Sequence, residues 1–494
     1  MATRSVAEAP RASQPAGRRT SFPIRLAYGL GNGAIGVKDN GFSFFLLIFY
    51  SQVVGLDARL VGLALTGALV FDAFVDPVVG YWSDNVRSRW GRRHPFMYAS
   101  AIPLAGLYFL LWNPPVGWPQ GQLFGYLLAM ATLIRVCVSF YQVPSFALAA
   151  ELTDDYDERS ALLSFRSYFS WTTGNAMSVL MFAVIFPLMA TAAIPNGQFN
   201  RESYRIYGLI AGGLILASVL ISAVGTHARI PHLKPPPPQR TLTLGRIFQE
   251  IFETLANRSF VALFLSTAFG TVAAGLAASL AFYWLTYFWH FPPRLSGYVT
   301  MAVFASAFIG AGLAPLVSRT IGKKRGAILI GLVAFLGSPL PIVLRLTGIL
   351  PDNGSPAIFW VVFFNTMFDV GLMICFEILA YSMLADLVEQ AEVRTGRRSE
   401  GVFASAVTFT QKLVNGLGLI MAGFVLSLAG VKTGADASHV SHASLWRLGE
   451  IYVPTIIALW MAQIAVIGAY SITRDSHRAN LETLASREPA SPLA

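Results

Sequence analysis

Two aspartates stand four residues apart inside an otherwise oily stretch, Phe71-Asp72-Ala73-Phe74-Val75-Asp76-Pro77. On a helix that spacing stacks both carboxylates on one face. An ionised carboxylate facing lipid near mid-bilayer costs on the order of 3 kcal/mol. Two on one face are tolerable only toward a protein interior or an aqueous cavity. Paired acids in such a place can hold Na⁺ through their oxygens, making Asp72 and Asp76 metal ligands in that case. They can equally take H⁺ by protonation of one member. The bland alternative is a buried pair neutralised by a neighbouring Arg or Lys.

Other polar residues fall at a similar depth. Lys38 and Asp39 lie about 15 residues into an apolar run, and Lys412 about 12 into another, near mid-membrane at about 1.5 Å rise per residue. Arg135, Ser139 and Gln142 recur at i, i+4 and i+7, one helical stripe. Arg166 comes early in the following run. Each alone could be a structural ion pair. Together they describe a shared polar level, as a central cavity between two halves requires.

The elements that must carry these residues are membrane helices. Of 494 residues, 54% are hydrophobic and only 13% charged, with a mean hydropathy of +0.56. An average soluble chain carries about 25% charged residues. Apolar runs long enough to span a bilayer fall at 24–53, 59–83, 95–113, 121–150, 161–192 and 204–226. A second set falls at 258–289, 295–318, 325–348, 356–385, 400–430 and 447–473. The pattern predicts an all-α membrane protein with 12 transmembrane helices in two six-helix bundles, 23–226 and 258–473. The polar segment 227–257, with its tetraproline Pro235 to Pro238, reads as a cytoplasmic linker because a proline run cannot continue a helix. Residues 1–22 and 474–494 read as cytoplasmic tails. The first of these lacks the apolar core of a signal peptide.

Loop charge sets the expected orientation. Arg87, Arg89, Arg92 and Arg93 follow the second run, and Arg319, Lys323, Lys324 and Arg325 follow the eighth. The loops 114–120 and 346–356 hold no basic residue. Both termini are therefore expected in the cytoplasm of a multi-pass inner (plasma) membrane protein. The net charge of +10 sits in these short loops, a pattern set by membrane topology, and no nucleic-acid partner is expected. The two cysteines, Cys137 and Cys375, lie in apolar runs and indicate no disulfide framework. The basic loop after the second run, with Asp84, Arg87, Arg92 and Arg93, could pair with the acidic runs Glu151, Asp154, Asp155, Asp157 and Glu158, and Asp386, Glu389 and Glu392, to close the cytoplasmic side.

With these residues in view, the chain resembles the glycoside–pentoside–hexuronide:cation symporters, the melibiose permease-like family of the major facilitator superfamily, over about 24–473. Lys38-Asp39 resembles the family's sugar-site pair, and Asp72 and Asp76 its cation-site acids. Ser139 stands where the family has a threonine. Arg166 and Lys412 match its helix 5 arginine and helix 11 lysine, and Gly80 to Arg93 is similar to the superfamily's signature loop. The resemblance implies the major facilitator fold and symport of a glycoside, sugar or uronide-like solute with Na⁺ or H⁺. It implies no cofactor and a protein working as a monomer among membrane lipids. Gln142 replaces a sugar-binding aspartate, Phe146 a nearby tryptophan, and Arg135 is an extra cation outside the pattern. Losing an acid and gaining a base predicts an anionic solute. The expected substrate contacts are Lys38, Asp39, Arg135, Gln142, Phe146, Arg166 and Lys412.

Gln142-Val143-Pro144 and Trp112-Asn113-Pro114 also resemble sodium-coupled lysolipid carriers, so an amphipathic solute is the alternative. An enzyme of the membrane prenyltransferase type is the remote one. It needs two acidic clusters facing one pocket, and this chain has one. No phosphate-cradling Gly-Lys-Ser/Thr loop or nucleophile triad is present, so the chain is not expected to be an enzyme.

Overall fold

The computed structural model describes residues 20–153, 156–232, 258–395, 414, 416–431 and 440–470. Lys412, Asp154, the tetraproline, residues 1–19 of the first predicted tail and all of the second lie outside them. The described chain is helical, with no strand among its residues.

The helical runs follow the hydropathy closely. They are α1 (22–54), α2 (Ala58–Asn85), α3 (His94–Leu111), α4 (Gln120–Leu152), α5 (156–188) and α6 (Arg201–His227). The second set is α7 (258–288), α8 (Pro293–Thr320), α9 (323–346), α10 (Pro356–Thr395), α11 (Gly416–Leu428) and α12 (His442–Ile467). Ten are long and apolar enough to cross a membrane. The other two are α1, which passes through the π-helical segments Gly41–Phe45 and Phe49–Val54, and α11, described over its apolar portion. Between α2 and α3 the chain turns at Gly91 with φ +71°, and between α8 and α9 at Gly322 with φ +83°. Both values lie in the left-handed region that favours glycine. The two basic loops therefore share a turn device.

Within the first set α2 packs on α4, α3 on α6 and α4, and α5 on α1. Within the second, α8 packs on α10, α10 on α9, and α7 on α12. Helices in lipid gain little from burying apolar surface against one another, so close approach depends on small residues. Gly36 of α1 is such a point, since a Cβ there would lie 1.8 Å from the Ser170 carbonyl oxygen of α5. Gly174 of α5 reciprocates, with the Gly36 carbonyl 2.7 Å from its own Cβ position.

The two sets meet mainly on the side away from the basic loops. Phe282 of α7 lies against Phe45 and Phe182, ring centroids 4.8 and 4.5 Å apart. The α7 hydroxyl of Tyr283 pairs with Ser51 of α1, and Thr286 donates to Gln198 Oε1 at 2.7 Å. Thr66 of α2 donates to the Gly416 carbonyl of α11 at 2.7 Å. Trp171 of α5 meets Phe304 of α8 edge-on at 5.3 Å. The interface is closed on that side.

Substituting Gly36 tests the α1–α5 contact. Gly36→Val is expected to destabilise the purified protein by roughly 1–3 kcal/mol through overpacking, read as a lowered thermal midpoint. Gly106→Ala, where nothing lies within 4 Å of the added carbon, should cause no loss.

Candidate functional site: an acid pair beside a polar cavity

The packing of α2 on α4 sets Asp72 and Asp76 opposite Ser139. The Ser139 Oγ lies 3.0 Å from Asp72 Oδ1 and 2.6 Å from Asp76 Oδ1, and 3.1 Å from the Arg135 carbonyl oxygen. A serine hydroxyl has one hydrogen, so it cannot donate to both carboxylates at once. Asp72 is buried and Asp76 half-buried. Pro77 follows directly and has no N–H to give the Ala73 carbonyl, which adds a further oxygen to this turn of α2. Three side-chain oxygens of the right chemistry for a hard cation or a proton thus converge from two helices.

Arg135, one turn before Ser139 on α4, stands on the other flank of Asp72. Its Nη1 is 3.6 Å from Asp72 Oδ2, longer than a hydrogen bond. The guanidinium lies 5.3 Å from the Phe42 ring centroid. Lys38 approaches the same ring at 6.0 Å and forms an ion pair with Asp39. Lys38 is buried, but 58% of the Asp39 side chain is exposed.

Asp39 opens onto a cavity of about 390 Å³ between α1 and α5. The α1 wall is Asn32, Gly36, Asp39, Asn40, Ser43 and Phe44, and the α5 wall Ser167, Ser170, Trp171 and Asn175. Asn32 is buried, and its Oδ1 has no hydrogen-bond partner. Its amide donates to the Arg166 carbonyl at 3.2 Å. The Asn40 Oδ1 accepts from Ser178 Oγ at 2.5 Å. Among the described residues Asp39 is the sole charged one lining this cavity. Sequence reading found Asp39 and passed over the amides and hydroxyls around it. Their signal was present: 32, 36, 39, 40 and 43 make a polar stripe at helical spacing, but Asn and Ser are unremarkable one at a time. Asp369 of α10 was passed over as well, a buried acid whose Oδ1 has no hydrogen-bond partner.

Arg166 behaves differently from its neighbours. It is buried and donates through Nη1 to Ser145 Oγ at 2.7 Å and through Nη2 to the Gln142 backbone carbonyl at 3.5 Å. It lies between the rings of Tyr28 and Phe146, at 5.9 and 5.7 Å. Gln142 therefore meets Arg166 through its backbone, and Phe146, 55% exposed, through its ring face.

The basic loop residues pair inside their own half. Arg93 bonds Ser83 Oγ at 2.7 Å and Glu151 at 2.9 Å and pairs with Asp84. Arg92 meets the same Glu151 oxygen at 2.8 Å. Asp386 takes Lys323 of the second half at 2.6 Å, and Arg87 is exposed. Glu151, at the end of α4 and first in the acidic run expected to complement the basic loop, thus takes both arginines.

The family described as MFS/sugar transport protein matches residues 27–474. The chain belongs to this family. It is 25% identical to an uncharacterized symporter of Synechocystis sp., over 94% of this chain and 97% of that one. It is 23% identical to an isoprimeverose transporter of Lactiplantibacillus pentosus, over 93% and 92%. It is 24% identical to a glucuronide carrier protein homolog of Escherichia coli, over 84% and 85%. Among solved structures, a D-xylose-proton symporter superposes with a TM-score of 0.56 at 17% identity, covering 89% of this chain and 97% of the other. A bacterial homolog of the human lysosomal transporter Spinster gives 0.58 at 15%, covering 94% and 99%. At such identities the likeness concerns the fold, which is the major facilitator fold. These relatives and neighbours are transporters, and the prenyltransferase alternative falls with them.

Closure opposite the basic loops depends partly on the Tyr283 hydroxyl, which also receives the Gln52 amide at 3.4 Å. Tyr283→Phe should shift the conformational balance by about fivefold, for a hydrogen bond worth about 1 kcal/mol. Labelling of Asn175→Cys by an impermeant maleimide from the side opposite the basic loops should rise by that factor.

Proposed function

We propose that this protein carries a sugar or glycoside across the membrane together with one monovalent cation, by alternating exposure of the Asp39 cavity. The observation that carries the reading is the hydroxyl of Ser139 set between the carboxylates of Asp72 and Asp76 beside that cavity. Acids at this depth have no use in a passive receptor, and a travelling Na⁺ or H⁺ gives them one. The walls of the cavity suit the solute. Amides and hydroxyls can pair with vicinal hydroxyl groups in both senses, and Trp171 offers a flat face to the apolar side of a ring. The printed names of the isoprimeverose transporter and glucuronide carrier agree with such a solute. An amphipathic solute is less well served, because the walls are polar along both helices.

The charge of the basic loops supports a cytoplasmic location for both termini, and relatives include an inner membrane symporter of Escherichia coli. The conformation described is then open to the cytoplasm, with the six-helix halves joined on the outer side. The ion binds at Asp72, Asp76 and Ser139. Lys38 positions Asp39 for the solute, and Arg166, with Gln142 and Phe146 packed on it, lines the approach. Lys412 and Asp154 stay proposals from the sequence alone, as substrate contact and gate. Asp84, Arg92, Arg93 and Asp386 hold each half's cytoplasmic end together, ready to meet the other when that side closes.

A second reading concerns the solute's charge. Arg166 donates to neutral oxygens and has no acid within ion-pair distance among the described residues, so an acid-bearing glycoside such as a uronide would find a partner there. Against it stands a cavity whose one charged lining residue, among those described, is an acid.

Counterflow in proteoliposomes, against neutral sugars, uronides and lysolipids with Na⁺ and pH varied, tests the proposal. Uptake should respond to a sugar-like solute and to one of the two ions, and indifference to both ions would exclude symport. Asp72→Asn should abolish concentrative uptake. Ser139→Ala should raise the ion concentration for half-maximal uptake by about tenfold or more, the loss expected of a hydrogen bond to a charged group. Trp171→Ala should weaken solute binding without changing the ion requirement.

A further inference from the structure

Arg135 joins the acid pair to the cavity physically, and neither place needs it for its own chemistry. It is buried, its nearest carboxylate contact is the loose 3.6 Å approach to Asp72, and its Nε has no hydrogen-bond partner. A buried guanidinium in a membrane helix ordinarily collects every bond within reach, since each unmade one is costly. Here the group is shared. Asp72, Asp39 and Asp76 all act on it electrostatically, and the Phe42 ring that it faces is the one Lys38 faces from the Asp39 side. A short path therefore runs from Asp76 and Asp72 through Arg135, past Phe42, to the Lys38–Asp39 pair on the cavity wall.

We infer that Arg135 is the residue that couples the two sites, a tethered cation that flanks Asp72 when no ion is bound and moves toward Asp39 when one arrives. This rests on the reading of Asp72 and Asp76 as the ion site. An entering cation supplies the charge that Asp72 was drawing from Arg135 and repels the guanidinium at the same time. The displaced group has Asp39 as its other acid, so its arrival changes the charge that the cavity presents to a solute. A solute that engages Asp39 and holds Arg135 on that side must in turn leave Asp72 more open to the ion. By linkage the two effects are equal in size. Arg135 is in this sense a positioning residue for the ion and a contact for the solute.

The test is ion binding to purified protein in detergent, read as the shift in thermal midpoint with Na⁺ at fixed pH and with pH at fixed Na⁺. Arg135→Gln, which removes the competing charge, should bind the coupling ion at least about fivefold more tightly than the wild type, at the lower end of ordinary coupling factors. With isoprimeverose and methyl glucuronide as solute probes, the wild type should show mutual enhancement of ion and solute, and this variant none. Arg135→Lys keeps a charge on a differently shaped group and should retain a reduced enhancement, which also serves if Arg135→Gln fails to fold. Ion affinity unchanged or weakened in Arg135→Gln, or undiminished enhancement in either variant, would overturn the inference. Asp72→Asn separates the two ideas. If it still responds to the ion, the acid-pair reading itself fails; if it does not while Arg135→Gln behaves as wild type, only the role of Arg135 fails.

Discussion

The structure depends on one constraint: a charge carried into a low-dielectric layer must be answered inside the protein. A lipid-facing ion is costly and a buried unpaired one hardly less so. The deep charges of the first half are answered in different ways. Lys38 takes its sequence neighbour Asp39. Arg166 spreads over two aromatic faces and two neutral oxygens. Asp72 and Asp76 share a hydroxyl with one hydrogen, and the nearest guanidinium stands off at 3.6 Å. The first two arrangements are settled ones, whereas the third gathers carboxylate and hydroxyl oxygens of the kind that a hard cation takes.

The same constraint shapes the two ends of the interface between halves. On the basic-loop side Glu151 answers Arg92 and Arg93, and Asp386 answers Lys323, each within one half. On the other side the seal consists of aromatic rings around Phe282, a few neutral hydrogen bonds from Ser51, Thr66 and Thr286, and a bond from the Arg59 guanidinium to Ser427. Bonds of that kind are individually modest, so the closed end can open again at low cost. Glycines such as Gly62 and Gly423 let α2 and α11 approach within backbone contact, and a backbone contact of this sort can slide or hinge as a unit.

The cavity complements this arrangement by being almost uncharged. Its walls supply donors and acceptors on rigid helices that are locked together at Gly36 and Gly174. Discrimination among solutes then follows from where the amides of α1 and α5 stand and from the orphaned Asn32 oxygen, more than from bulk electrostatics. The structure spends Arg135 on Asp72 and presents the Gln142 backbone to Arg166.

The spans, their order, the polar level at mid-depth and the face shared by Asp72 and Asp76 were all legible in the sequence. They follow from local rules, the length of an apolar run and the period of a helix, which act within a few turns of chain. Helix ends predicted at 59 and 83 are found at Ala58 and Asn85, and those at 295 and 318 at Pro293 and Thr320. Only the tertiary structure decided which deep charges meet. Whether Arg93 finds Glu151 or an acid of the other half, and whether Arg135 faces Asp72, Asp39 or both, depends on how helices distant in sequence lie side by side. That arrangement is set by packing of small residues and rings, a property of pairs of surfaces that no single stretch of chain contains.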